Sequence, residues 1–140
     1  MACCPKSIIA EILKAKGAIK SVYFVACGGS YAGLHPGKYF LESESKELKV
    51  DHYSSNEFCH ATPKSLGENS IVITQSSSGN TPETVKAAEI AQKAGAASIV
   101  ITNKPESPLA QNGDYVLVPE KGSTANSGQA YSLKLAVEIL

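Results

Sequence analysis

Short apolar runs recur along the chain, with longer segments of helical spacing between them. Val22 to Ala26, Leu48 to Tyr53, Ile71 to Thr74, Ser98 to Thr102 and Tyr115 to Val118 are rich in Val, Ile and Tyr. Most are apolar at successive positions, as strands buried between two helical layers are. Ile8, Ile9, Ile12 and Leu13 precede the first run, and Ala87, Ile90, Ala91 and Ala94 precede the fourth; both sets fall on one face of a helix. Thr81 with Pro82 reads as an N-cap followed by proline at the first helical position, and Gly95 closes the same helix. The alternation predicts an α/β fold, a three-layer sandwich around a parallel sheet. No internal repeat, linker or low-complexity tract divides residues 1–140, which suit a single domain.

The last segment carries Leu133, Ala136, Val137 and Leu140 at i, i+3, i+4 and i+7, an apolar stripe on a helix with no stop signal before the sequence ends. The expectation is a domain cut from a longer chain after Leu140, with the N-terminus also abbreviated. The stripe then predicts association, with a second domain or with a second copy in a homodimer.

Composition narrows the function classes. Lys+Arg and Asp+Glu both number 13, with every cation a lysine, and the sequence pI is about 6.8. No basic patch offers itself to a nucleic-acid backbone. No apolar run approaches the roughly 18 residues of a membrane span, and the N-terminus lacks a signal-peptide pattern, so a cytoplasmic protein is expected. Cys3, Cys4, Cys27 and Cys59 match no zinc spacing and read as reduced, mostly buried thiols; no metal and no cofactor are expected.

In an open parallel sheet, ligands bind beyond the carboxyl ends of the strands. After the first strand comes Cys27-Gly28-Gly29-Ser30-Tyr31-Ala32-Gly33, leading into a helix. Paired glycines let a ligand approach the backbone, and the helix start supplies free N–H donors. After the third strand comes Gln75-Ser76-Ser77-Ser78-Gly79-Asn80-Thr81, followed at once by the Pro82 helix. Hydroxyls and amides at a helix start form a cup for a phosphate, held by neutral donors because the chain has no arginine. One such loop alone is equally well a polar turn with an N-cap; two at equivalent places favour a site.

Other readings of these loops fit less well. Gly28, Ser30 and Gly33 break the Gly-x-Gly-x-x-Gly fingerprint of a Rossmann-type NAD domain, although Asp51 stands where an acid would be wanted. The Gly-Lys-Ser/Thr of a nucleotide-hydrolase loop is absent. Gly28-Gly29-Ser30-Tyr31-Ala32 resembles a hydrolase elbow, but His35, His52 and His60 all come too early for a late catalytic histidine.

Phe24 to Tyr31, Ser55-Asn56-Glu57-Phe58, the Ser76-x-Ser78-Gly79-x-Thr81 loop and the Asp114-to-Pro119 strand together resemble the SIS (sugar isomerase) domain family over nearly the whole chain. The chain is most similar to the N-terminal half of double-SIS proteins, the isomerase part of glucosamine-6-phosphate synthase and the fructoselysine-6-phosphate deglycase group. The resemblance implies a five-stranded sheet of flavodoxin-like order and a sugar-phosphate ligand. Phosphate contacts would fall on Ser30, Ser76, Ser78 and Thr81, with backbone help from Gly29 and Ser77 and room provided by Gly28. It also implies an enzyme whose acid and base come mostly from a second SIS half, so that this chain alone would position substrate without turning it over. Relatives often carry a lysine early in the last helix, where this chain has Gly128 and Gln129. Glu57 is the candidate catalytic base, at helical spacing from His60 near a strand end; a helix-capping glutamate is the plainer alternative. SIS domains also serve as sugar-phosphate sensors, the competing non-catalytic reading.

Overall fold

A computed structural model describes residues 4–119 and 126–140, the side chains of 126–129 excepted. Cys3 and the side chain of Gln129 lie outside the described residues.

The element order is α1 (Pro5–Lys16), β1 (Ser21–Ala26), α2 (Gly28–Glu44), β2 (Lys49–Ser54), α3 (Ser55–His60), β3 (Ser70–Gln75), α4 (Pro82–Lys93), β4 (Ala97–Ile101), α5 (Pro108–Gln111), β5 (Tyr115–Leu117) and α6 (Asn126–Ile139). The five strands pair in parallel in the order β2-β1-β3-β4-β5, the flavodoxin-like arrangement. Ala26 at the end of β1 pairs with Ser54 on one side and Gln75 on the other, so the carboxyl ends of three strands stand level.

Alternation along the strands distributes side chains to two layers. Val22, Phe24, Ala26, Ile71, Ile73 and Ile99 pack with Ile8, Ile9 and Ile12 of α1, Leu34 and Leu41 of α2, and Leu135 and Ala136 of α6. On the other face Tyr23, Val25 and Val72 pack with Phe58 of α3 and Ala87 and Ala91 of α4, and Val100 packs with Ala88 and Leu109. Helices α2 and α6 approach closely because α2 presents glycines. A Cβ on Gly37 would lie 2.7 Å from the carbonyl carbon of Ser132, and Ser132 Oγ donates to the carbonyl of Gly33 at 3.3 Å.

Three expectations need correction. The three described cysteines are free thiols but not buried: Cys4 is exposed, and Cys27 and Cys59 are half-buried near the carboxyl ends of the strands. The second strand is not apolar on both faces; β2 is a sheet edge, and only Val50 in it is buried. The terminal stripe is split, because Ala136 enters the core while Leu133, Val137 and Leu140 are 41%, 50% and 57% exposed. Helices α3 and α5 are too short for periodicity to reveal, and each is announced by a capping serine, Ser54 and Ser107.

Candidate functional site

The strand order reverses between β1 and β3. From β1 the chain passes to α2 on one face of the sheet, and from β3 it passes to α4 on the other. Both glycine- and serine-bearing segments singled out in the sequence therefore meet at one topological switch point.

At β1 there is no loop. Cys27 is extended, and Gly28, at φ +56°, opens α2 directly in a conformation suited to glycine. A Cβ on Gly28 or Gly29 would meet nothing within 4 Å, so the backbone here is open to an approaching group. Ser30 is half-exposed and its hydroxyl makes no hydrogen bond among the described residues. No side chain of the N-cap residue satisfies the first-turn N–H groups of α2.

At β3 the loop is tightly made. Ser76 Oγ accepts the N–H of Gly79 at 3.1 Å and is hydrogen-bonded to Thr81 Oγ1 at 3.0 Å. Thr81 occupies the N-cap position of α4, yet its hydroxyl bonds to Ser76 and not to the helix backbone. Ser78 Oγ accepts from Asn80 N–H, and the Ser77 carbonyl accepts from Asn103 N–H at 3.2 Å, while both serines remain exposed. Gly79, at φ +70°, lies where any Cβ would collide with Ser107, and its carbonyl accepts from Leu109 N–H at 3.1 Å. The segment after β4 thus pins the serine loop.

The contrast among helix starts is chemical. Ser54 Oγ accepts the N–H of Glu57 to cap α3, and Ser107 Oγ accepts that of Ala110 to cap α5. Helices α1, α2 and α4 carry no such side-chain cap, and the last two begin at the switch point, which leaves N–H donors and the positive end of each dipole there available to an anion. Beneath them Ser55 Oγ and Thr84 Oγ1 are hydrogen-bonded at 2.8 Å, and Thr84 Oγ1 donates to Cys27 Sγ at 3.8 Å, tying α2, α3 and α4 together below the surface.

Gly28, Gly29, Ser30, Ser76, Ser77, Ser78 and Thr81 are thus gathered at one place. The Glu57 side chain makes no hydrogen bond to any of them. It is exposed in the first turn of α3, where its carboxylate faces no hydrogen-bonding partner among the described residues and complements the helix dipole. His60 closes the same helix and is exposed. Two side chains at the switch point escaped the sequence reading. His52 stacks on Tyr31 with ring centroids 3.8 Å apart, and burial pushes its imidazole down to about 4. Gln75, the last residue of β3, is buried under α2. Its position in phase with Ile71 and Ile73 was the available signal.

The SIS domain model matches residues 18–137. The chain belongs to the SIS domain family. This SIS domain is 54% identical over 107 residues to fructosamine deglycase FrlB of Bacillus subtilis, covering 76% of this chain and 33% of that protein. It is 35% identical over 134 residues to the isomerizing glutamine–fructose-6-phosphate aminotransferase of Geobacillus kaustophilus, covering 94% of this chain and 21% of that protein. The crystal structure of a candidate phosphosugar isomerase from Salmonella typhimurium superposes with a TM-score of 0.88 at 48% identity, over 96% of this chain and 42% of that one. The SIS chain thus spans between a fifth and a third of the length of these curated relatives.

The fold also answers the dinucleotide alternative. The strand order is not the 3-2-1-4-5-6 of a Rossmann domain, and Asp51 lies in mid-strand, 3.9 Å from Lys49, with β2 running on to Ser54. The acid is not at the carboxyl end, where a ribose would need it.

Proposed function

We propose that this SIS domain binds a phosphorylated sugar, with the phosphate seated between the start of α2 and the serine loop before α4. Gly28 and Gly29 would admit it to the backbone, and Ser30, Ser76, Ser77, Ser78 and Thr81 would supply hydroxyl and amide donors. The observation that carries this reading is the pair of uncapped helix starts at one switch point, the start of α2 carrying Ser30 and that of α4 carrying the Ser76 and Thr81 hydroxyls. Neutral donors and two helix dipoles suffice for a phosphate without an arginine. The relatives named for fructosamine deglycation and for fructose 6-phosphate support a ketose- or amino-sugar-phosphate isomerase or deglycase as the parent activity.

The domain would hold substrate within a larger cytoplasmic assembly, with a second SIS domain or a second copy as partner. It needs neither metal nor cofactor for binding. Ring opening and proton transfer between adjacent carbons need a positioned acid and base. Glu57 is the one acid among the candidate residues, and its exposure without a hydrogen-bonding partner among the described residues favours a base supplied from outside this chain. The same observation also favours the sensing reading, in which the site binds and performs no chemistry.

Calorimetric titration tests the phosphosugar reading. Fructose 6-phosphate or glucosamine 6-phosphate should bind, with inorganic phosphate as competitor, while fructose binds far more weakly. Equal affinity for fructose and its 6-phosphate would remove the phosphate cup, and tight NAD binding would restore the dinucleotide alternative. Turnover by this chain, abolished by Glu57→Gln, would make Glu57 the base.

A further inference from the structure

Gln75 closes β3 and leads into the serine loop. Ile71, Ile73 and Gln75 point to the same face of the sheet, and the first two are fully buried core residues. The third places a carboxamide where an apolar side chain would complete the pattern. Gln75 is only 8% exposed and lies against the second turn of α2, with Nε2 3.5 Å and Oε1 3.7 Å from the position a Cβ on Gly33 would take. Oε1 is sealed from solvent without a donor. Nε2 is not among the sealed atoms, and it makes no hydrogen bond among the described residues. A sealed carboxamide oxygen without a donor is unfavourable, and a leucine of similar reach would remove the penalty.

The place of this amide gives it a use. Its neighbour in sequence is Ser76 of the serine loop, its register partner is Ala26 immediately before Cys27 and Gly28, and the helix above it is α2. It therefore stands between the two proposed phosphate-binding segments. We infer that Gln75 is a specificity-determining residue whose carboxamide hydrogen-bonds a hydroxyl of the sugar. This rests on the phosphosugar reading above. A hydroxyl both donates and accepts, as a carboxamide does, so it can pair with either end; a phosphate oxygen could pair with Nε2 alone, and an apolar group with neither. The terminal torsion of glutamine is soft, so rotation can present Nε2 or Oε1 to the crevice.

The test compares two ligands on two chains. Titration of the wild-type chain and the Gln75→Leu chain with fructose 6-phosphate and with inorganic phosphate should show at least a tenfold loss for the sugar phosphate and less than a twofold change for phosphate. The melting temperature should hold or rise, because the substitution removes a sealed carboxamide oxygen that has no donor. Parallel loss of both ligands, no loss of either, or a lowered melting temperature would overturn the inference and make Gln75 a packing residue. Gln75→Met provides a second apolar shape, and failure of both variants to fold would also overturn it. A wild-type chain that binds neither ligand overturns the phosphosugar reading itself, a result distinct from any difference between the two chains.

Discussion

The hydroxyls of Ser76 and Thr81 meet at 3.0 Å across the start of α4, so the residue in the N-cap position leaves the helix backbone uncapped. Hydrogen bonds to a charged group contribute about 1.5–3 kcal/mol each, which corresponds to roughly tenfold or more in a dissociation constant. Ser76→Ala and Thr81→Val should each weaken binding of a sugar phosphate by about that factor. Calorimetry reads the loss directly; unchanged affinity in both variants would place the phosphate elsewhere.

Gly37 marks the closest approach of α2 to α6. Its Cβ position lies under the main chain of Ser132, where backbone and not a flexible side-chain tip must give way. Gly37→Ala should destabilise the domain by about 1–3 kcal/mol, within the range measured for overpacked cores. Urea denaturation checks it, with Gly29→Ala as the control, because a Cβ at Gly29 meets nothing within 4 Å. Equal midpoints for the two variants would mean that the helices separate without cost.

His52 gives the domain an acid-sensitive element. Burial is the largest cause of its lowered value, with opposition from the Tyr31 carbonyl and further lowering by His35 and Lys38. The unfolded chain takes up a proton at His52 below about 6.5, whereas the folded chain does so only near 4. Between these values the unfolded state holds more protons, so this contribution to stability is present above 6.5 and is lost as the pH falls toward 4. His52→Phe keeps a ring against Tyr31 and removes the titration. Its urea midpoint should fall less between pH 7 and pH 4.5 than that of wild type, and identical slopes would count against the buried neutral imidazole.

Leu133 and Val137 lie exposed on α6 beside Pro5 and Lys6 of α1. Each large aliphatic side chain gains about 1.5–3 kcal/mol on full burial, which favours covering this face when a partner is available. Light scattering at high micromolar concentration should find the chain larger than a monomer, and Leu133→Glu should return it to monomer. A wild-type monomer unaffected by that substitution would exclude association through this face.

The alternation of apolar runs with helical spacing was enough to determine a parallel α/β sandwich, because strand burial and helix amphipathicity are local patterns written into neighbouring residues. Gly28-Gly29-Ser30 and Ser76 to Thr81 were legible as helix-start segments for the same reason. What only the tertiary structure decided depends on residues far apart in the chain. That β2 is an edge, and that β1 and β3 flank the switch point, follows from strand pairing that no local pattern encodes. Thr81 occupies a cap position without capping, because Ser76 holds its hydroxyl. Gly79 is confined by Ser107, and Gly33 is tied to Ser132, 99 residues away. Cys27 and Cys59 look like small core residues in sequence but lie half-buried among polar partners, and Gln75 looks like the first polar residue of a loop but is enclosed beneath α2. Burial of a polar group is a property of the packed surroundings, so composition and spacing along the chain could not supply it.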